Sequence, residues 1–385
     1  MKFSKRAQAI KASLTLAITS KAKKLKASGE NVINFAAGEP YLDTPEHIKE
    51  AAIEAIRQGF TKYTPAAGAP FLKKAIIEKF KKDNNLEYNN SQIVVSCGAK
   101  HSLFNVMEVL CDEGDEVIIP APYWVSYPEM VRFAGGQPVI IKTLEKNKFK
   151  FTTDTLEKYI TAKTKILILN SPSNPAGTVY TKDELRKIAK VAVEHNIYVI
   201  SDEIYEKIIY DNNRHASIAS FDKDIYKLTV TINGVSKAYS MTGWRIGYLG
   251  ASEEVAAKVN NLQSHSTSNP SSISQKAAWA ALTSDERFVR EMVREFDIRR
   301  KKMVSGLNRI NGFSCDMPQG SFYCFCNTKE TRLNSMDIAN KLLDELKIAV
   351  IPGIAFGQEN YIRVSYSCGY EEIDEGLRRL KELFG

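Results

Sequence analysis

The chain lacks a disulfide framework: its six cysteines are scattered over 385 residues, and only Cys324 and Cys326 stand close, spaced as same-face neighbours on a strand. That excludes a cysteine-stapled scaffold. No Cys or His spacing suits a metal, so no metal site is expected, and free thiols fit a reducing cytoplasm. Long apolar runs are missing as well; no stretch approaches transmembrane length, and no membrane association is expected. Repeats and low-complexity tracts are absent. No acidic residue precedes Glu30, whereas Lys2, Lys5, Arg6, Lys11, Lys21, Lys23, Lys24 and Lys26 all do. Such a segment could pass for an organelle transit peptide. However, Leu14 to Ile18 is too short for a signal core, and the helical pattern runs on to Gly29 without a cleavage-type break, so a structural arm is the expectation. The net charge of the whole chain is +8, and beyond this segment Lys and Arg are interleaved with Asp and Glu. It reads as a solvated surface with mild attraction for anionic substrates and no nucleic-acid partner.

What is present is enough apolar material, 44% of residues, to bury a large core in a chain longer than one ordinary domain. Short β-rich runs at Ile93, Val117, Val139, Ile166, Tyr198, Leu228 and Ile246 alternate with helical segments such as Thr181 to His195. This alternation predicts an α/β fold with a mostly parallel, helix-covered sheet. Asp43-Thr44-Pro45-Glu46 reads as a capped helix start. The charged run Asp285 to Leu307 reads as a long exposed helix, and Phe322 to Cys326 and Tyr361 to Tyr366 as strands of a smaller α+β unit. The expected division is an N-terminal arm over 1–44 that belongs with the smaller unit, a large domain over 45–283 and a small C-terminal domain over 284–385, with one active site between them.

Four motifs carry chemistry. Lys237 lies just past the apolar run Leu228 to Ile232, eight residues before Arg245 in Ser236-Lys-Ala-Tyr-Ser-Met-Thr-Gly-Trp-Arg-Ile-Gly. An amine on a rigid strand end near a phosphate-clamping guanidinium suits covalent binding of an aldehyde cofactor. Asp202 follows the buried run Ile197 to Ser201, where open α/β sheets place ligand-binding groups, and a carboxylate there can keep a pyridine nitrogen protonated; Tyr205 is one helical step along. Ile93 to Ser96, Gly98 and the following helix form a strand, glycine turn and helix start, whose free backbone N–H groups at Ala99 and Lys100 suit a phosphate. Finally, Asn174-Pro-Ala-Gly177 ends a buried run in a turn dense in special residues, which also permits a cis peptide. Towards the C-terminus Arg363 alternates with Ile362 and Val364, and an inward guanidinium there needs an anion such as a carboxylate. Gly38 would let backbone approach a ligand.

Together with Gly38-Glu-Pro40, Tyr63-Thr-Pro-x-x-Gly68 and Pro122-Tyr-Trp124-Val-Ser-Tyr127, these motifs stand in one order from Lys11 to Arg363. The set resembles the bacterial and archaeal-type aspartate aminotransferase branch of the class I aminotransferases, which have the fold-type I architecture and use pyridoxal 5'-phosphate (PLP). The resemblance implies that Lys237 binds the cofactor covalently and serves as general base. It implies that Asn174 bonds the ring oxygen and that Trp124 stacks on the ring. Ser236, Arg245 and, from a neighbouring subunit, Tyr63 would hold the phosphate, which makes the protein a homodimer. Arg363 would bind the substrate α-carboxylate, with Gly38, Trp124 and Asn174 also at the substrate. A distinct arginine that grips the distal carboxylate in better-known relatives has no counterpart in Gln263 to Pro270, which leaves Lys100 and Lys11 as candidates. The implied activity is ping-pong transfer of an amino group from L-aspartate, or a related amino acid, to 2-oxoglutarate. Prephenate or broad aromatic transamination is the alternative, with a PLP-dependent lyase of the same fold behind it.

Overall fold

A computed structural model describes residues 3–10 and 14–385 of the chain. Twelve strands occur in it: β1 (Ile33–Asn34), β2 (Ile93–Ser96), β3 (Glu116–Ala121), β4 (Gln137–Lys142), β5 (Thr164–Asn170), β6 (Tyr198–Asp202), β7 (Thr229–Gly234), β8 (Gly247–Gly250), β9 (Tyr323–Asn327), β10 (Ile348–Ala349), β11 (Ile351–Pro352) and β12 (Tyr361–Ser365). All seven apolar runs singled out from sequence become strands of one sheet, ordered β2-β8-β7-β6-β5-β3-β4. Only β8 runs antiparallel to its neighbours. The expected mostly parallel α/β sheet is therefore observed.

The near-continuous hydrophobicity of these strands follows from burial on both faces. On β3, Val117 and Ile119 pack into one core while Ile118 enters another; on β5, Ile166 and Ile168 part in the same way from Leu167 and Leu169. The helix Lys182–Glu194, opened by a reciprocal Thr181–Glu184 capping box, lays Leu185, Ile188, Ala189 and Ala192 on the second core. Each fully buried Leu or Ile contributes roughly 1.5–3 kcal/mol by its removal from water.

A second sheet, β11-β12-β9, is antiparallel, and β1 pairs in parallel with β10. Ile18, Ala22, Val32 and Ile33 share a core with residues between Met292 and Leu380, so the N-terminal segment packs with the last third of the chain. Cys324 and Cys326 both point into that core.

Two local expectations are corrected. Arg287–Leu307 is amphipathic rather than exposed: Val289, Met292, Phe296, Met303, Val304 and Leu307 are buried on a helical stripe that its many charges conceal. Buried Arg300 is bonded to Asp211 at 2.9 and 3.0 Å and to the Pro318 carbonyl. At Glu46–Arg57 the N-cap is Pro45, with no side-chain cap; Asp43 accepts from the Thr44 N–H, and the Thr44 hydroxyl donates to the Ser240 carbonyl instead. Among the described residues no helix is long and apolar enough to cross a membrane.

Candidate active site

The parallel strands deliver their carboxyl ends to one edge of the large sheet, and the register β5–β6–β7 sets Asn170 beside Asp202 and Asp202 beside Ile232. Asp202 ends β6 and is buried. Tyr127, at the start of the helix Tyr127–Phe133, donates its hydroxyl to Asp202 Oδ2 at 2.6 Å, and the Ile204 N–H donates to Oδ1 at 3.2 Å. Burial raises the Asp202 pKa to about 6, against the opposing pull of these two donors and the Lys237 charge. Asn170 joins this position to the next loop: its amide donates to the Asp202 carbonyl, and its Oδ1 accepts from the Asn174 N–H. The Asn174–Pro175 peptide is cis.

Buried Asn174 in turn accepts at Oδ1 from Arg363 Nη1 at 3.0 Å, while Arg363 Nη2 donates to the Ala36 carbonyl at 2.9 Å. The Arg363 guanidinium lies 4.2 Å from the Tyr323 ring centroid and 5.3 Å from that of Phe356. Its Nε is buried without a partner. A buried cation with an unmatched donor is a poor structural element and a good anion receptor.

Lys237 follows β7 by three residues and is half-buried, with Nζ donating to the Gly38 carbonyl at 2.6 Å. Desolvation, then the positive charges of Arg363 and Arg245, lower its pKa to about 8, although Glu39 and Asp202 pull the other way. Nζ is 6.0 Å from the Tyr205 ring centroid and 5.9 Å from that of Phe322. The Tyr205 hydroxyl is 3.0 Å from that of Tyr323, the ring that also flanks Arg363. Gly38 acts through its carbonyl; a Cβ there would make only an ordinary 3.6 Å contact with Tyr323 Oη, so its backbone position does not demand glycine.

Arg245 adopts a left-handed backbone (φ 55°) and is exposed, with Nη1 on the Thr242 carbonyl and Nη2 on that of Cys97. Gly98, the N-cap of the helix Ala99–Leu110, has φ 89°, and a Cβ on it would lie 2.3 Å from Arg245 Nη2. A side chain at Gly247 would collide with the Ala99 nitrogen at 2.0 Å. Two glycines thus bring a guanidinium against a helix N-terminus whose Ala99 and Lys100 N–H groups have no intrahelical acceptor, an arrangement chemically suited to an anion. Buried Ser236 precedes Lys237. Lys100 is exposed, with Nζ 4.8 Å from the Trp124 ring centroid; desolvation of the ammonium and then the Arg245 charge lower its pKa. Trp124 meets Tyr127 edge-on at 5.3 Å.

Hydrogen bonds and ring contacts therefore link Asp202, Asn174, Arg363, Tyr205, Lys237 and Gly38, with Trp124 and Lys100 reached through Tyr127, while Arg245 lies against the Gly98 turn that precedes Lys100. Tyr63 stands outside this set, 91% exposed on the single chain. Lys11 lies outside the described residues. Sequence reasoning passed over Asn170, Tyr127, Tyr323 and Phe322 as site neighbours. Asn170 heads the Pro-dense turn and Tyr127 closes the Pro122 motif, so their positions were marked, though their partners were not.

A sequence model of the family described as "Aminotransferase class I and II" matches residues 30–380. The aspartate aminotransferase of Bacillus subtilis is 48% identical over 99% of this chain and 98% of its own length. The aspartate/prephenate aminotransferase of Nitrosomonas europaea is 47% identical over the whole of both chains. Among solved structures, the aspartate aminotransferase of Thermus thermophilus with maleate superposes with a TM-score of 0.96 at 41% identity, covering all of both chains.

Proposed function

Because this chain belongs to the class I and II aminotransferases, PLP-dependent enzymes of fold-type I, we propose that it transfers the amino group of L-aspartate to 2-oxoglutarate, and that the residues described above perform the transfer. The observation that carries this reading is the convergence of one amine of lowered pKa, one buried carboxylate and one buried, incompletely bonded guanidinium. The pocket chemistry fits the cofactor: the glycine-lined cradle of Ala99, Lys100, Ser236 and Arg245 suits its phosphate, Asp202 its ring nitrogen, Asn174 and Tyr205 its ring oxygen, Trp124 its face and Lys237 its aldehyde. Bound PLP supplies an electron sink for the charge that develops at the substrate Cα.

The chain's own groups do the rest. Arg363 takes the substrate α-carboxylate with a planar pair of donors and so orients the Cα–H bond. Lys237 Nζ, which its lowered pKa of about 8 leaves unprotonated at mildly alkaline pH, would accept the Cα proton and pass it to the cofactor carbon that bore the aldehyde. Asp202, ionised above about pH 6, holds a proton at the ring nitrogen. Residues 45–283 are read as the large domain, and 284–385 with the arm 1–44 as a smaller one whose closure would exclude water. Tyr63, exposed on one chain, is assigned to the phosphate of a partner subunit in a homodimer. A cytoplasmic setting fits the free thiols.

For the distal carboxylate, Lys100 and Lys11 remain the assigned cations. Maleate in the Thermus structure, a four-carbon dicarboxylate, supports a dicarboxylic substrate, and the Nitrosomonas relative supports prephenate as a second acceptor. Purified protein given PLP, L-aspartate and 2-oxoglutarate should form oxaloacetate and glutamate in equal amounts. Continuous product formation without any 2-oxo acid would replace this reading with that of a lyase.

A further inference from the structure

Tyr127 is buried to 2% exposure, and its hydroxyl makes the shortest of the two side-chain contacts that Asp202 receives, 2.6 Å against 3.2 Å from the Ile204 N–H. An ionised carboxylate has about four acceptor positions, of which the protein fills two here. The Asp202 carboxylate is enclosed, and the charged groups near it are few: Glu203 beside it in the chain and Lys237 from beyond β7, with the Tyr205 phenol on the following turn. Among the described residues, the helix that begins at Tyr127 gives the carboxylate one hydrogen bond, from the Tyr127 hydroxyl. Glu203 is engaged elsewhere, with Ser201, Ser217, Asn84 and His215. Whatever steadies the negative form of Asp202 therefore comes largely from Tyr127.

We propose that Tyr127 is a positioning residue for transamination, which keeps Asp202 ionised and aimed at the cofactor's ring nitrogen. This inference rests on the reading of the site given above. A phenol donor to a buried carboxylate favours the charged form, because that form accepts the stronger, charge-assisted bond. The Tyr127 pKa lies well above the ordinary value, chiefly through burial and then the Asp202 charge, so the phenol stays a donor through the working range. Its ring also meets Trp124 edge-on, which ties the residue assigned to stack on the cofactor to the residue assigned to hold its nitrogen.

The test uses the full-length holoenzyme and the Tyr127→Phe variant, which keeps the ring and removes only the hydroxyl. In the variant, kcat for aspartate should fall about tenfold at pH 7 with KM changed less than about threefold, because the α-carboxylate grip of Arg363 is untouched. The acid limb of the kcat profile should move up by about one pH unit as the carboxylate protonates more readily. The visible absorption of bound cofactor should titrate at a correspondingly higher pH, a readout independent of turnover. Tyr127→His, which retains a ring N–H donor, should recover part of both shifts, and Tyr127→Leu, which lacks a donor, serves as the test variant if Tyr127→Phe does not fold. A folded Tyr127→Phe or Tyr127→Leu protein whose pH profile and cofactor absorption match the parent's would overturn the proposal. A parent protein that binds no PLP or transfers no amino group would instead overturn the reading of the whole site.

Discussion

Replacing Arg363 by lysine keeps the positive charge and removes the fork, which makes it the sharpest test of the substrate grip. Arg363 is 3% exposed, fixed by bonds of 3.0 and 2.9 Å to Asn174 and Ala36 and held between the rings of Tyr323 and Phe356. A lysine ammonium in that slot can satisfy the Asn174 oxygen or a substrate oxygen, and it cannot span two carboxylate oxygens in one plane. A hydrogen bond to a charged group is worth about 1.5–3 kcal/mol, and each 1.36 kcal/mol is a factor of ten in rate. Losing one of two parallel bonds should therefore lower kcat/KM by about 10- to 100-fold, with both constants affected because a misaligned Cα–H bond also reacts more slowly. Steady-state kinetics with aspartate, glutamate and alanine as donors are the assay. The loss should be the same factor for all three, since each carries the α-carboxylate, and the cofactor absorption and Tm should stay close to the parent's. A loss confined to one donor, or less than about twofold for every donor, would refute the assignment.

Lys237 supplies a second prediction with a defined sign. Its folded pKa of about 8 lies below the ordinary 10.5, so between these values the unfolded chain binds the extra proton and the folded one does not. The cost to stability is therefore greatest below pH 8 and disappears above pH 10.5. In the cofactor-free protein Lys237→Met should raise Tm at pH 7 and lose that advantage at high pH, while abolishing both turnover and borohydride fixation of PLP; a lower Tm at pH 7 would contradict the desolvation argument. Asp202→Asn should retain cofactor, because the phosphate cradle is unchanged, and lose most of the proton-transfer rate; near-normal turnover would remove Asp202 from the mechanism. Lys100→Ala should penalise aspartate far more than alanine as donor, and an unchanged aspartate-to-alanine preference would leave the distal carboxylate to other groups.

The sheet was legible in the linear chain because most of its strands carry a short apolar run, as burial requires, bounded by helices or turns that carry their own signals. The Lys237, Asp202, Asn174 and Gly98 motifs stood out for a related reason: each sits where a strand stops, so the composition changes abruptly at the chemically useful residue. Periodicity was less visible where charge covered it, as in Arg287–Leu307, whose buried stripe is interrupted by Arg299 and Arg300. The Asp43–Pro45 segment shows the opposite failure, in which good capping residues were diverted to other partners by tertiary contacts.

What local sequence could not contain is pairing across distance. The bond between Tyr127 and Asp202 joins residues 75 apart, that between Asn174 and Arg363 residues 189 apart, and that between Lys237 and Gly38 residues 199 apart. Residue type and strand-end position announce that a group can do chemistry, because they depend on neighbours within a few positions. Which carboxylate a phenol serves, and how far an ammonium is stripped of water, depend on how the layers close over one another, and only the folded chain decides that.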